Sequence, residues 1–119
     1  ENYITFPYGL KSNLNTFSCF ILPNKLVENV GYFDETISPN YAYFEDNDYR
    51  YRLLLAGYNT KKVWDSIVVH SESSTIKAFS NKDLREHHRK FELAKANYIK
   101  KWGGLPENEK FRTPYNKCQ

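Results

Sequence analysis

The sequence has no methionine, only two cysteines and no glycine-rich phosphate-binding loop, and these absences exclude several classes of protein. Cys19 and Cys118 lack the close spacing of a metal-binding pair, and the apolar neighbours of Cys19 predict a buried thiol. A self-contained nucleotide-binding domain of the glycine-loop type is excluded. No apolar run approaches the roughly 18 residues of a membrane-spanning helix, and none has the pattern of a signal peptide.

The net charge of the chain is also small, at +3. The chain has 17 Lys and Arg against 14 Asp and Glu, and its basic residues are scattered, so we expect no nucleic-acid partner. Hydrophobic residues make up 40% of the 119 positions and aromatic residues 17%, which indicates one folded domain. Because the chain lacks methionine and opens with Glu1, we expect it to be a piece of a longer protein, so that a site needing upstream residues is only half present.

An acidic cluster stands at the start of a predicted helix and organises the rest of the chain. Residues 45–48 contain three carboxylates, and Arg50 and Arg52 follow two of them by four positions, which suits ion pairs on one helix face. Gly57 supplies the end of this helix. Acids in a first turn lie where the partial positive charge of the helix favours the ionised form that a general base needs. A capped, solvated helix start is the alternative interpretation.

The segments before this helix contain few strand signals. Residues 1–16 are interpreted as a loop or a short edge strand, and the apolar run 17–22 as a buried strand. A brief helix is predicted at 25–30, with Asn24 as its cap and Gly31 as its end.

The segments after Gly57 predict two short strands, at 61–65 and 66–70, and a polar loop at 71–78. Together with the helices, they indicate an α+β fold with few strands, without the repeated βαβ units of a doubly wound sheet.

A long C-terminal helix is predicted at 82–102, where Ser80 and Asp83 have the spacing of a capping box and Gly103 ends the helix. Its apolar stripe consists of Leu84, Phe91, Ala94, Tyr98 and Trp102. Residues 106–119 are interpreted as a polar tail.

The order of these segments resembles the second half of a GT-A glycosyltransferase of the large family 2 type. That family has a strand, a short helix ending in glycine, an aromatic-Asp-Glu motif, Glu-Asp-x-Asp on an Arg- and Leu-rich helix closing with Ala-Gly-Tyr, and two strands, the second ending in His. The corresponding segments here are 17–22, 26–31, 33–35, 45–48, 52–58 and 68–70. The run 53–57 is also similar to the C-terminal part of animal galactosyltransferases, although Tyr41-Ala42-Tyr43-Phe44 replaces their Trp-Gly-Gly.

The resemblance implies that residues 1–105 form the acceptor-side, catalytic part of a GT-A fold and that the nucleotide-binding N-terminal half lies outside this chain. The family binds its donor through an Asp-x-Asp motif after an earlier strand, whereas Asp46 and Asp48, which have that spacing, belong to the acceptor-side helix. The implied activity is transfer of a sugar from a nucleotide-sugar to an acceptor hydroxyl, with inversion. We expect the chain alone to be inactive.

Inverting transfer needs a base that removes the proton of the acceptor hydroxyl as its oxygen attacks the anomeric carbon. By the resemblance, Asp46 is that base and Glu45 holds acceptor hydroxyls, with helix capping as the alternative for Asp46. Asp48 is a candidate for substrate binding, but a structural role paired with Arg52 is favoured.

The aromatic residues Tyr41, Tyr43, Phe44 and Tyr49 are candidates for a platform that stacks on a sugar ring. Of these, Tyr43 and Phe44 are assigned to substrate binding. Packing in the core is the alternative for each of them.

The nucleoside diphosphate leaving group calls for a divalent cation, Mn²⁺ or Mg²⁺. By the resemblance, His70 at the end of a strand is the metal ligand from this half, and a hydrogen-bonded structural histidine is the alternative. His87 and His88 are adjacent on a predicted helix and point in different directions, so they do not form a ligand pair.

These features predict part of a glycosyltransferase whose partners are a nucleotide-sugar donor and a glycan acceptor. A cytoplasmic location is expected, with peripheral membrane attachment as an alternative. We also expect self-association through the apolar surface that a missing half leaves exposed. The rival interpretation is a carbohydrate-binding or assembly module that retains half of the fold without catalysis.

Overall fold

The computed structural model describes residues 3–9, 17, 19–39, 41, 43–69, 76 and 78–118, which form a small mixed α+β domain. The strands are β1 (Tyr3–Gly9) and β2 (Asn59–Val68), and the helices are α1 (Asn24–Val30), α2 (Glu45–Leu55), α3 (Asn81–Trp102) and a short 3-10 helix (Pro114–Asn116). The predicted α+β class with few strands and a long C-terminal helix is confirmed. In the described part of the chain, no helix is long and apolar enough to cross a membrane.

The two strands pair in parallel, and helices α1 and α2 lie in the connection between them. The register runs from Tyr3 opposite Asn59 to Pro7 opposite Val63, and then shifts so that Tyr8 lies opposite Ile67. Proline has no N–H to give to the ladder and is found in sheets at edges and bulges, which fits a shift at Pro7.

Residues 17–22 do not form the predicted strand where they are described. Ile21 makes only an isolated antiparallel bridge with Thr5, whose N–H donates to the Ile21 carbonyl over 3.1 Å. Cys19 is exposed, so the prediction that its thiol is buried is wrong. The physical reason is that this short run anchors itself through its larger side chains, Phe17, Phe20 and Leu22, which pack on the core.

The two strands predicted at 61–65 and 66–70 are instead the single strand β2. Only the register shift against β1 interrupts the pairing, and the chain continues in the extended conformation through it. The loop predicted at 71–78 falls mostly outside the described residues.

Helix α1 begins one residue earlier than predicted. Pro23, not Asn24, occupies the cap position, and no side chain caps this end. The Pro23 carbonyl accepts hydrogen bonds from the N–H groups of Leu26 and Val27 at 2.9 and 3.3 Å. The predicted end at Gly31 is confirmed, with φ of 84°, a left-handed value that glycine adopts without penalty.

Helix α2 lies between two apolar clusters and is held by both. The first cluster joins it to the sheet and consists of Ile4, Phe6, Leu26, Tyr49 and Leu53. The second joins it to α3 and consists of Ile37, Phe44, Ala94, Tyr98 and Trp102. Arg50 and Leu54 are exposed, so α2 presents one remaining face to solvent.

Helix α3 starts and ends as predicted to within one residue. Ser80 and Asp83 form the expected capping box, and Gly103 ends the helix with φ of 77°. The stripe on this helix is buried at Ala94, Tyr98 and Trp102.

The segment predicted as a tail folds back onto the helices. The Trp102 carbonyl accepts the N–H groups of Lys110 and Phe111, both at 3.0 Å, and the Tyr51 hydroxyl donates to the Phe111 carbonyl at 3.0 Å. Gly104 permits this path, because a Cβ there would lie 2.0 Å from the carbonyl oxygen of Asn108. The turn at 105–109 is thereby fixed beside α2.

Candidate functional site

The candidate site lies at the N-terminal end of α2, residues 43–46, which we call the entrance of α2. Phe44 occupies the N-cap position with φ of 65°, and its side chain makes no capping hydrogen bond. This left-handed conformation is unfavourable for an aromatic residue and needs support from packing. The Phe44 ring is buried against Phe91 and Tyr98, with ring centroids 5.3 and 5.6 Å away. Core packing therefore accounts for Phe44, and its ring is not placed to stack on a sugar.

Asp46 stands in the first turn of α2, as predicted, and is partly buried. Its Oδ1 accepts the backbone N–H of Asn47 at 2.8 Å and the Asn47 side-chain amide at 3.1 Å. Within the described residues, no hydrogen bond reaches Oδ2 and no Lys or Arg lies within 4 Å; Arg50 pairs with Glu107 instead, at 3.6 Å. Oδ1 thus accepts hydrogen bonds within the first turn of the helix, while Oδ2 is available to a ligand.

Glu45 and Tyr43 flank Asp46 at the same entrance. Burial, and then repulsion by Asp46, raise the pKa of the Glu45 carboxyl, although its own backbone N–H opposes this. Its Oε2 is buried without a hydrogen-bond partner in the described part of the chain. Burial, followed by the charges of Tyr41 and Glu45, raises the pKa of Tyr43. The structure therefore brings three of the predicted site residues together: Tyr43, Glu45 and Asp46.

Asp48 has a different environment from its acidic neighbours, since its side chain is 0% exposed. Its Oδ2 accepts from Arg52 Nε at 2.8 Å, and its Oδ1 faces Trp102 Nε1 at 2.8 Å and Lys101 Nζ at 2.6 Å. The predicted pairing with Arg52 is confirmed. A role for Asp48 in direct substrate binding is not supported, because its carboxylate is enclosed and fully bonded.

The network around Asp48 ties four segments of the chain together. Lys101 Nζ also donates to Asp34 Oδ2 at 2.7 Å, joining α3 to the loop after α1. The guanidinium of Arg52 donates to the carbonyls of Val30 and Tyr32, both at 2.8 Å. Because buried charges require such partners, this network fixes the rotation of α2 and hence the direction of its first turn.

Lys101 is the residue that the sequence analysis missed. Its burial could have been predicted from its position three residues after Tyr98, which places Lys101 beside the apolar stripe of α3 and not on the solvated face. A lysine on a buried stripe indicates a buried partner of opposite charge.

His87 anchors the loop that leads into α2. Its Nδ1 lies 2.6 Å from the Tyr41 hydroxyl, and its ring meets the Tyr43 ring edge-on at 5.2 Å. His87 is buried while His88 is exposed, which confirms that the two point in different directions. Tyr41 and Tyr43 are thus positioned by α3.

The ion pair between Asp34 and Lys101 predicts a dependence of stability on pH. Burial opposes the charge of Asp34, but hydrogen bonds from Lys101 and Thr36 outweigh it and lower the pKa of this carboxyl from 3.8 to about 2. Because the folded value lies below the unfolded one, the contact stabilises the fold above about pH 4 and is lost as pH falls toward 2.

We therefore expect Lys101→Met to raise the pKa of Asp34 and Thr36→Val to raise it by less. An NMR titration of the Asp34 side-chain carboxyl measures both changes. A midpoint left near 2 in Lys101→Met would contradict the assigned contact.

The predicted metal ligand, His70, lies outside the described residues, so its role stays a prediction. The described part of the chain holds no group of three or more His, Cys, Asp and Glu side chains that could bind a metal ion. Asp48, one of its acids, already faces Lys101 and Arg52. The described residues by themselves do not fit a cation site.

Comparisons with known proteins found no match. No protein-family model matches the chain, and no curated protein or solved structure matches it either. Inferences about function therefore depend on the geometry at the entrance of α2 and on the order of motifs along the sequence.

Proposed function

We propose that this chain is the acceptor-side half of an inverting glycosyltransferase of the GT-A type, with Asp46 as its general base. The observation that carries the proposal is the different surroundings of two neighbouring acids. Asp48 is enclosed, whereas Asp46 bonds through Oδ1 alone within the described residues and keeps Oδ2 available to a ligand. A general base must be held rigidly within hydrogen-bond reach of the proton that it removes. The buried network beneath α2 supplies that rigidity.

In the proposed reaction, an acceptor hydroxyl donates a hydrogen bond to Asp46 Oδ2. As the hydroxyl oxygen bonds to the anomeric carbon, its proton passes to Asp46, and the bond from that carbon to the diphosphate oxygen breaks on the opposite face. The bonding electron pair leaves with the nucleoside diphosphate. Glu45, next to Asp46 in the first turn of α2, would hold a second acceptor hydroxyl through its carboxyl group. Neutralising the diphosphate falls to the proposed donor-binding half.

The 119-residue chain alone is expected to transfer no sugar, because the proposal places donor binding outside it. The test incubates the purified chain with a panel of nucleotide-sugars, Mn²⁺ and glycan acceptors, and mass spectrometry follows product and free sugar. A characterised galactosyltransferase serves as the positive control. Transfer or donor hydrolysis above the buffer blank would contradict this arrangement.

A second candidate is a module that binds carbohydrate without catalysis. Such a module would bind sugar hydroxyls through the same carboxylates at the start of α2, Glu45 and Asp46, without removing a proton. An Asp-x-Asp motif after a strand in the upstream part of the full-length protein favours the enzyme, and a full-length protein without one favours the module.

Strand β2 and the residues beside the sheet expose apolar side chains that the proposed donor half would cover. Ile21, Trp64, Ile67 and Val69 are 70%, 67%, 59% and 59% exposed, whereas parallel sheets are normally covered on both faces. We expect the isolated chain to bury them against a second copy, which sedimentation velocity at rising concentration detects. Ile67→Thr should weaken the association and Leu93→Thr, an exposed position on α3, should not. A strictly monomeric profile at high concentration counts against this prediction.

A further inference from the structure

A cleft of about 60 Å³ lies between the exposed face of α2 and the turn at 105–109. Side chains of α2 form one wall and acidic side chains of the turn face them; the main lining residues are Asn47, Arg50, Tyr51, Leu54, Glu107 and Glu109. The turn is closed by the N–H groups of Lys110 and Phe111, directly after it, which donate to the Trp102 carbonyl. The cleft is therefore a built feature between two fixed segments.

Asp46 does not line the cleft but lies on the same side of α2 as two residues that do, Arg50 and Leu54. Asp46, Arg50 and Leu54 follow one another at intervals of four residues and so lie along one ridge of α2. Arg50 is about 6 Å from Asp46 along the helix axis. Asn47 links the two places directly, since it lines the cleft and donates its side-chain amide to Asp46 Oδ1.

The lining offers the groups that a hydroxylated ring needs. Carboxylates accept hydrogen bonds from hydroxyls, the guanidinium and amide groups donate to ring and hydroxyl oxygens, and Tyr51 and Leu54 offer apolar surface to C–H groups. Glu109 is oriented by the hydroxyl of Tyr98, which donates to it. Tyr51 is oriented by its bond to the Phe111 carbonyl.

The ion pair that crosses the cleft is weak enough to be replaced by a ligand. Arg50 and Glu107 are 3.6 Å apart, and both side chains are more than half exposed. Exposed pairs of this kind contribute little to stability because water and salt screen them. Both groups can therefore turn to a ligand at small cost.

We propose that this cleft binds a second sugar unit of the acceptor, next to the unit whose hydroxyl reaches Asp46. The acceptor is then an oligosaccharide or a glycoside of at least two units, not a single sugar, and the turn at 105–109 contributes to its selection. This inference rests on the proposed function and names the substrate class for the same site.

The test is an amide NMR titration of the 119-residue chain with methyl glucoside, methyl galactoside and the disaccharides lactose, cellobiose and chitobiose. At least one disaccharide is expected to shift the amides of Arg50, Leu54 and Glu107 together with those of Glu45 and Asp46. Arg50→Gln should raise the Kd for that disaccharide about tenfold and leave the Kd for the methyl glycosides unchanged. Arg89→Gln, which breaks the exposed pair with Glu86 on α3, is the matched control and should change neither.

Two results would overturn the cleft assignment. The first is disaccharide shifts confined to the entrance of α2, with Arg50→Gln binding as tightly as the parent chain. That result leaves the proposed function standing, because Asp46 still meets the sugar. The second is the absence of amide shifts both in the cleft and at Glu45 and Asp46 with every sugar of the panel. That result would contradict the cleft assignment and the proposed acceptor site together.

Discussion

Asp48→Asn is expected to lower the free energy of unfolding by about 3–5 kcal/mol, the usual effect of removing one partner from a buried ion pair. The carboxylate is enclosed, and it faces two cations and an indole N–H. An amide has one acceptor oxygen where the carboxylate has two. Its NH₂ group would point at Arg52 or at Lys101. Arg52 would lose its buried counter-charge, and Lys101 would keep only Asp34.

Urea denaturation of the isolated chain measures this effect. A loss of this size is a large share of the roughly 5–15 kcal/mol that stabilises a domain. Glu86→Gln is the control, since it removes an exposed partner of Arg89 and should change stability far less than Asp48→Asn does. Equal effects of the two substitutions would show that the network around Asp48 does not hold α2.

Asp46→Asn is expected to lower turnover of the full-length protein by on the order of 10²-fold or more. Asparagine keeps the shape of the side chain and the oxygen that accepts from Asn47. It cannot take up the acceptor proton, so the loss should fall on the chemical step. Because Asp46 makes no buried ion pair in the described structure, stability and donor binding should change little.

Steady-state kinetics with donor and acceptor varied separately distinguish this role from a structural one. Turnover should fall while the KM for the donor stays near the parent value. Asp48→Asn, assayed at a temperature where it remains folded, should keep most of its turnover. The opposite pattern, with Asp46→Asn near the parent rate and Asp48→Asn inactive while folded, would show that the base is wrongly assigned.

The parts of the fold that the sequence predicted are those controlled by neighbours along the chain. The capping box of Ser80 and Asp83 and the helix end at Gly103 depend on residues within one turn. The ion pair between Asp48 and Arg52 is likewise an i, i+4 contact. Such contacts can be read from spacing alone.

Strand pairing was less predictable because it depends on distant segments. The run 17–22 has the composition of a buried strand, yet the sheet partner beside β1 is β2, and Ile21 keeps only one bridge. Cys19 is exposed, while the larger side chains of the run, Phe17, Phe20 and Leu22, pack on the core. The composition of the run contains no information about which strand lies beside it.

Within the acidic cluster, the sequence could identify the residues but could not tell which of them face the core. Successive helix positions point about 100° apart, so the three acids of residues 45–48 face three directions. Trp102 and Lys101, far along the chain, determine that Asp48 is the enclosed one. The spacing to Arg52 already favoured a structural role for Asp48, but its enclosure by Trp102 and Lys101 needed the tertiary structure.

Sugar transfer by the full-length protein, which under this proposal includes the donor-binding half, tests the central claim most directly. The measurement follows a panel of nucleotide-sugars with oligosaccharide acceptors by mass spectrometry, and NMR determines the anomeric configuration of any product. The account predicts a product of inverted configuration that the parent protein and Asp83→Asn form and that Asp46→Asn does not. Binding of glycans with neither transfer nor donor hydrolysis across the panel would contradict it and identify the chain as part of a carbohydrate-binding module.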